Sequence, residues 1–194
     1  MSVFTNPASR SIERARAYTD AVLGLLGSKD PMNVLRSTPE AVRNAVLGLT
    51  ERELSQPEAP DKWSIRHVVR HLADSDLVWG YRVRLVLAQD RPTLTGFDQD
   101  RWAERLHYDQ ASVEMALEEF SVLRRSNLRL MAGATSADLE RVGVHAERGE
   151  ESVSHMIRLY AGHDLLHLAQ IARIRHAISP PGAHQGRAAR TDAL

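Results

Sequence analysis

Cysteine is absent from the 194 residues. The chain therefore has neither disulfides nor thiolate ligands, and any metal site must be built from His, Asp or Glu. It also lacks an excess of charge, because 25 Lys and Arg balance 25 Asp and Glu. That balance removes the electrostatic reason to expect a nucleic acid or an anionic membrane as partner. No stretch is long and apolar enough to span a bilayer. The segment Met1-Ser2-Val3-Phe4-Thr5-Asn6-Pro7 has no basic flank leading into an apolar run. The expected location is cytoplasmic. An internal repeat, a phosphate-binding glycine motif and a sustained strand-like alternation are missing too.

What is present is helical periodicity. Ala15, Val22, Leu25 and Leu26 form an apolar face that Gly27 ends, and Gly27-Ser28-Lys29-Asp30-Pro31 reads as a break. Thr38 followed by Pro39 reads as a cap and first helical residue, with Ala41, Val42, Ala45, Val46 and Leu49 as the face that follows. Met1 to Thr50 is thus expected to form one interrupted helical arm, and Glu51 to Lys62 a connector. Ser64 is the predicted cap of a second long helix reaching about Gln89. A short helical turn is expected over Gln99 to Leu106. Asp109 is the predicted cap of a third long helix ending near Ala132, and Gly133 to Glu151 reads as irregular. A fourth helix runs from about Ser152 to Ile178, where Pro180-Pro181-Gly182 stops it. The expected fold class is all-α, a four-helix bundle in a single domain over 1–178, with 179–194 a disordered tail.

The seam of the last helix has a polar middle. Met156, Tyr160, His163, His167, Gln170, Ile174 and Ala177 step by four and three along an inward line. His163 and His167 sit one turn apart, about 5–6 Å between Cβ atoms, which one divalent ion can bridge. A hydrogen-bonded core pair is the competing account, since a buried imidazole needs a partner of one kind or the other. On the second helix Val68, His71, Ser75, Val78, Arg82 and Leu85 share a face, so His71 lies among apolar neighbours, with His67 its rival as a ligand. Asp74 is read as a ligand-orienting group or base, or else a surface carboxylate. Arg82 and Arg124 are read as a buried polar network, Arg82 lying about 16 Å along the helix from His71. Tyr160 is read as packing or pocket lining. His145 ranks low as a pocket residue, and His107, His155, His176 and His184 receive no role.

Trp63-Ser64-Ile65-Arg66-His67-Val68-Val69-Arg70-His71-Leu72-Ala73-Asp74, followed by His163-Asp164-Leu165-Leu166-His167-Leu168-Ala169-Gln170-Ile171, resembles the DinB-like superfamily. Its members include the bacillithiol S-transferase (YfiT-like) group and mycothiol-dependent maleylpyruvate isomerase. The similarity spans roughly Leu35 to Ile178. It implies a four-helix bundle, often a homodimer, with a divalent metal held by His71, His163 and His167. Trp63 matches the family's tryptophan before the second helix, and Gln170 its glutamine after the histidine pair. The resemblance further implies a transferase that activates a low-molecular-weight thiol against a small-molecule substrate. The alternatives are a metal-dependent hydrolase and a non-catalytic, stress-associated metal-binding protein. Three neutral imidazoles leave a divalent ion with open coordination positions, as catalytic sites do, and suit zinc, nickel or ferrous iron alike.

Overall fold

The computed structural model describes the chain from Ile12 to Ile178, with side chains from Ala15 onward. The predicted start at Ser11 and the predicted tail, 179–194, lie outside the described residues. The helices are α1 (Ile12–Leu26), α2 (Pro31–Val46), α3 (Glu51–Ser55), α4 (Ile65–Ala88), α5 (Gln99–Arg105), α6 (Val113–Ala132), α7 (Ser136–Leu139) and α8 (Val153–Ile178). Helix α4 packs on α6 and α8, and α2 packs on the same two, so these four close a ring with α1 laid against α8. The protein is a four-helix bundle, as its periodicity predicts.

Three boundaries differ from expectation. Helix α2 begins at Pro31 and not at Thr38, because the Asp30 carboxylate caps it by accepting from the Asn33 N–H at 2.7 Å. Pro31 supplies a first-turn residue that needs no hydrogen bond. Pro39 therefore lies inside the helix, where it cannot donate to the Leu35 carbonyl one turn back. The Arg124 guanidinium of α6 occupies that vacant acceptor at 2.7 Å. Helix α6 is capped by Ser112 and not by Asp109, which falls in a single 3-10 turn, Tyr108–Gln110. The connector 51–62 contains α3, whose ends close reciprocally through Thr50 and Glu53.

The region read as irregular carries most of a small sheet. Strand β2 (Val142–His145) pairs antiparallel with β3 (Gly149–Ser152), and parallel with β1 (Thr93–Leu94) so that Leu94 lies opposite His145. Gly149, at φ +80°, makes the tight turn between β2 and β3. Gly143 lets β2 press onto the end of α4, since a Cβ there would lie 2.8 Å from Val86.

The core is split in two. Ile65, Val68, Leu72, Phe120, Ile171 and Val42 pack at one end, and Leu35, Trp79, Val83, Met131 and Met156 at the other. Between them each ring helix contributes buried polar residues: Thr38 from α2, Asp76 from α4, Arg124 and Asn127 from α6, Asp164 and His167 from α8. Arg124 holds this belt together. It donates to Asp164 at 2.6 and 3.1 Å and to Asp76 at 3.2 Å, besides the Leu35 carbonyl. One side chain of α6 thus ties itself to the other three helices of the ring.

Candidate metal centre

His71 comes from α4, one turn before Ser75, and His163 and His167 come from successive turns of α8. Their rings meet across the bundle. His163 Nε2 lies 3.2 Å from His71 Nε2 and 3.1 Å from His167 Nε2, and the ligand nitrogens of all three lie within 4.8 Å of one another. The resemblance implies this convergence, and His67, the rival that spacing left open, stays out of it. The His67 Nδ1 is 2.8 Å from the Ser64 hydroxyl, in a separate surface cleft beside Asp100 and Asp109.

The three rings are neutral. Burial drives His71 and His163 well below the usual imidazole range, assisted by the neighbouring rings. Burial also brings His167 down to about 4, against the opposing pull of Gln170 and Asp164. The amide oxygen of Gln170 lies 2.8 Å from His167 Nδ1, so that nitrogen carries the proton and Nε2 presents its lone pair inward. A proton on His163 Nε2 can serve only one of its two neighbours. The Ser75 hydroxyl, 3.2 Å from His71 Nε2, can serve the other, and the spacing of the three rings also suits a divalent ion. Bonds of about 2.0–2.1 Å in a tetrahedral site put neighbouring nitrogens about 3.3–3.4 Å apart, close to the two contacts that His163 makes.

The surroundings fix the rings. Trp63 packs against His71 with ring centroids 4.9 Å apart, and Tyr160 lies 5.6 Å from His163 while stacking on Trp79 at 4.4 Å. The Tyr160 hydroxyl donates to the Ser75 carbonyl at 2.9 Å, so Tyr160 both packs and lines the site. Asp74 points elsewhere: it accepts from Tyr108 at 2.5 Å and pairs with Arg70, which makes it a buried structural carboxylate. That result replaces all three roles considered for it, ligand-orienting group, base and surface carboxylate.

His71 and His163 open onto a cavity of about 90 Å³ whose lining also includes Arg82, His145, Glu147, Arg148 and Tyr18. Arg82 is buried and donates to the Thr95 carbonyl, in keeping with its inward seam, and it is a cavity residue as well. A distance measured along the helix axis ignores the reach of its own side chain. His145, ranked low, also lines the cavity. It is carried inward by the alternation of β2 and held by the Glu147 N–H, which donates to His145 Nδ1 at 3.2 Å. Glu147, Arg148 and Tyr18 went unnoticed in the sequence. For Glu147 and Arg148 the signal is the short Ala146-Glu147-Arg148 turn before Gly149, which marks a hairpin between two short strands; Tyr18 lies on α1 and has no such signal.

The DinB superfamily model matches residues 35–171. The chain belongs to the DinB superfamily. It is similar to two candidate metal-dependent hydrolases of this kind. One, from Oceanobacillus iheyensis, is 29% identical over 143 residues, covering 74% of this chain and 83% of that protein. The other, from Bacillus mycoides, is 28% identical over 145 residues, covering 75% and 83%. Among solved structures, YfiT from Bacillus subtilis is described as a candidate metal-dependent hydrolase with an unusual four-helix bundle topology. It superposes with a TM-score of 0.71 at 24% identity, covering 89% of this chain and 92% of that one. At that identity the likeness establishes the fold. Among the described residues no DinB helix is long and apolar enough to cross a membrane.

Proposed function

We propose that this DinB-superfamily chain is a divalent-metal-dependent enzyme whose ion is held by His71, His163 and His167. The observation that carries the reading is the contact of three neutral imidazoles, His71 and His167 buried and His163 half-buried, at the edge of a cavity. A divalent ion there would acidify a thiol or a water bound beside it. Around it, Gln170 fixes the His167 tautomer, Trp63 and Tyr160 hold the rings of His71 and His163 in place, and Glu147 is the cavity carboxylate available to take a proton. The resemblance to the thiol-dependent transferases favours a small thiol as nucleophile and transfer to an electrophilic small molecule as the reaction. Hydrolysis is the second reading. It is favoured by Glu147 in the cavity wall and by the names of the curated relatives.

The test combines metal analysis with two assays. Alanine at His71, His163 or His167 should reduce bound zinc to below about a tenth of the wild-type stoichiometry, whereas His67→Ala should retain it. Low-molecular-weight thiols offered with a bimane electrophile, and an ester panel without thiol, then separate transfer from hydrolysis. Either activity should vanish with chelator and return with divalent metal. Full metal content in His71→Ala would dissolve the site.

A further inference from the structure

Four buried side-chain nitrogens have no hydrogen-bond partner among the described residues: Trp79 Nε1, His163 Nδ1, Arg82 Nε and His145 Nε2. Three of the four belong to residues of the one cavity beside the histidine cluster. Unpaired buried donors are costly, and two on residues that line one cavity point to something that accepts from both. Arg82 and His145 are buried to 5% and 2% exposure, far from the freedom of surface side chains.

Each of the two donors is held in place by the rest of its side chain. The Arg82 Nη2 donates to the Thr95 carbonyl, which fixes the guanidinium and leaves Nε–H free. The His145 Nδ1 accepts from the Glu147 N–H, so in the neutral ring the proton sits on Nε2. Burial, with the nearby Arg148 and Arg82, lowers His145 to about 4 and keeps that ring neutral near pH 7. The donors come from α4 and β2, two elements brought together by the close packing of Gly143 on Val86.

We infer that Arg82 Nε and His145 Nε2 form a carboxylate subsite, which seats the acidic end of a small-molecule ligand while its other end lies towards His71 and His163. Two donors match the two oxygens of one planar carboxylate. Arg148 is already neutralised by Glu151, which accepts from it at 3.0 Å, and Glu147 stands in the same wall. A single negative charge is therefore tolerated, whereas a phosphate dianion with a third oxygen would face Glu147. The orientation of the ligand rests on the proposed metal site. Occupancy of the subsite does not.

The probe is propionate, titrated into isotopically labelled, chelator-treated protein, with propionamide as its neutral counterpart. Propionate should saturably shift the Arg82 Nε–H and His145 Nε2–H resonances, and propionamide should bind at least about tenfold more weakly. Arg82→Lys, which keeps the charge and removes Nε, and His145→Phe should each weaken propionate binding about tenfold or more while leaving zinc stoichiometry unchanged. The wild-type resonances carry the result if either variant is unfolded by circular dichroism. Absence of any saturable shift would mean that only water fills the subsite, and equal binding of propionamide would replace the carboxylate by a neutral carbonyl. Either outcome overturns the proposal. Zinc binding without propionate binding removes the subsite and leaves the metal reading standing, and the reverse result does the opposite.

Discussion

Arg124 bears a larger structural share than its position in the sequence suggests. Its guanidinium satisfies two buried carboxylates from different helices and the carbonyl that Pro39 leaves without a donor. Removing it would strand all three. Burial already pushes Asp76 up to about 6 despite the guanidinium beside it, so the loss of that counter-charge would leave Asp76 and Asp164 costly to keep ionised. Arg124→Met should therefore destabilise the fold by about 3–5 kcal/mol in urea unfolding, the range for breaking a buried ion pair from one side. Adding Asp76→Asn and Asp164→Asn should recover part of that loss. A single variant within about 1 kcal/mol of wild type would show that the belt is dispensable. The same residue illustrates what a seam pattern conveys. Arg124 and Asn127 interrupt an apolar face, which marks them as inward and polar, but their partners lie 48 and 51 residues away on α4, for Arg124 40 away on α8 as well, and no spacing rule names them.

The helices were legible wherever an apolar face ran unbroken. Helix α4 begins after Ser64, and α8 carries its histidines on the inward line, because three-and-four spacing leaves few alternatives for an amphipathic segment. Helix α2 was misread at its start since Asp30-Pro31 and Thr38-Pro39 offer the same cap-and-proline signal. The choice between them depends on whether a distant arginine will cover the Leu35 carbonyl. The strands are two to four residues long and pair across a gap in sequence, too short for alternation to declare itself. The cavity wall was invisible for that reason, as β2 and the turn after it supply His145, Glu147 and Arg148. Helix α1 depends on a close approach that a single methyl would block. A Cβ on Gly162 would stand 2.2 Å from the Val22 carbonyl oxygen, and this contact is with backbone that cannot rotate away. Gly162→Ala should lower stability by about 1–3 kcal/mol, as overpacking does, and weaken zinc retention because His163 is the next residue. Thermal unfolding and metal analysis read the two effects. An unchanged midpoint would mean that α1 rides over the methyl without cost.

At the scale of the whole molecule, four imidazoles, His71, His145, His163 and His167, are confined where protons are unwelcome, and this sets how the fold should respond to acid. In an unfolded chain a histidine takes up its proton near 6.5. In the fold, burial lowers His145 and His167 to about 4, and His71 and His163 lie well below their ordinary value. Between those values the unfolded state binds more protons, so unfolding free energy rises with pH across the window and is lost as pH falls below about 6.5. Asp76 acts in the other direction. Raised to about 6, it holds a proton in the fold that the unfolded chain releases, and from about pH 6 down to 4 it favours the folded state. Four histidines outweigh one aspartate. Urea midpoints of the chelator-treated protein should therefore fall steadily from pH 6.5 towards 4.5, each histidine contributing up to about 1.4 kcal/mol per pH unit. A midpoint that held level or rose over that range would contradict the neutral, buried assignment of the rings. Zinc should raise stability at pH 7 and steepen the decline on acidification, because protons and metal compete for the same lone pairs. A chain whose acid response ignored zinc would keep its bundle yet lose the claim of His71, His163 and His167 to the ion.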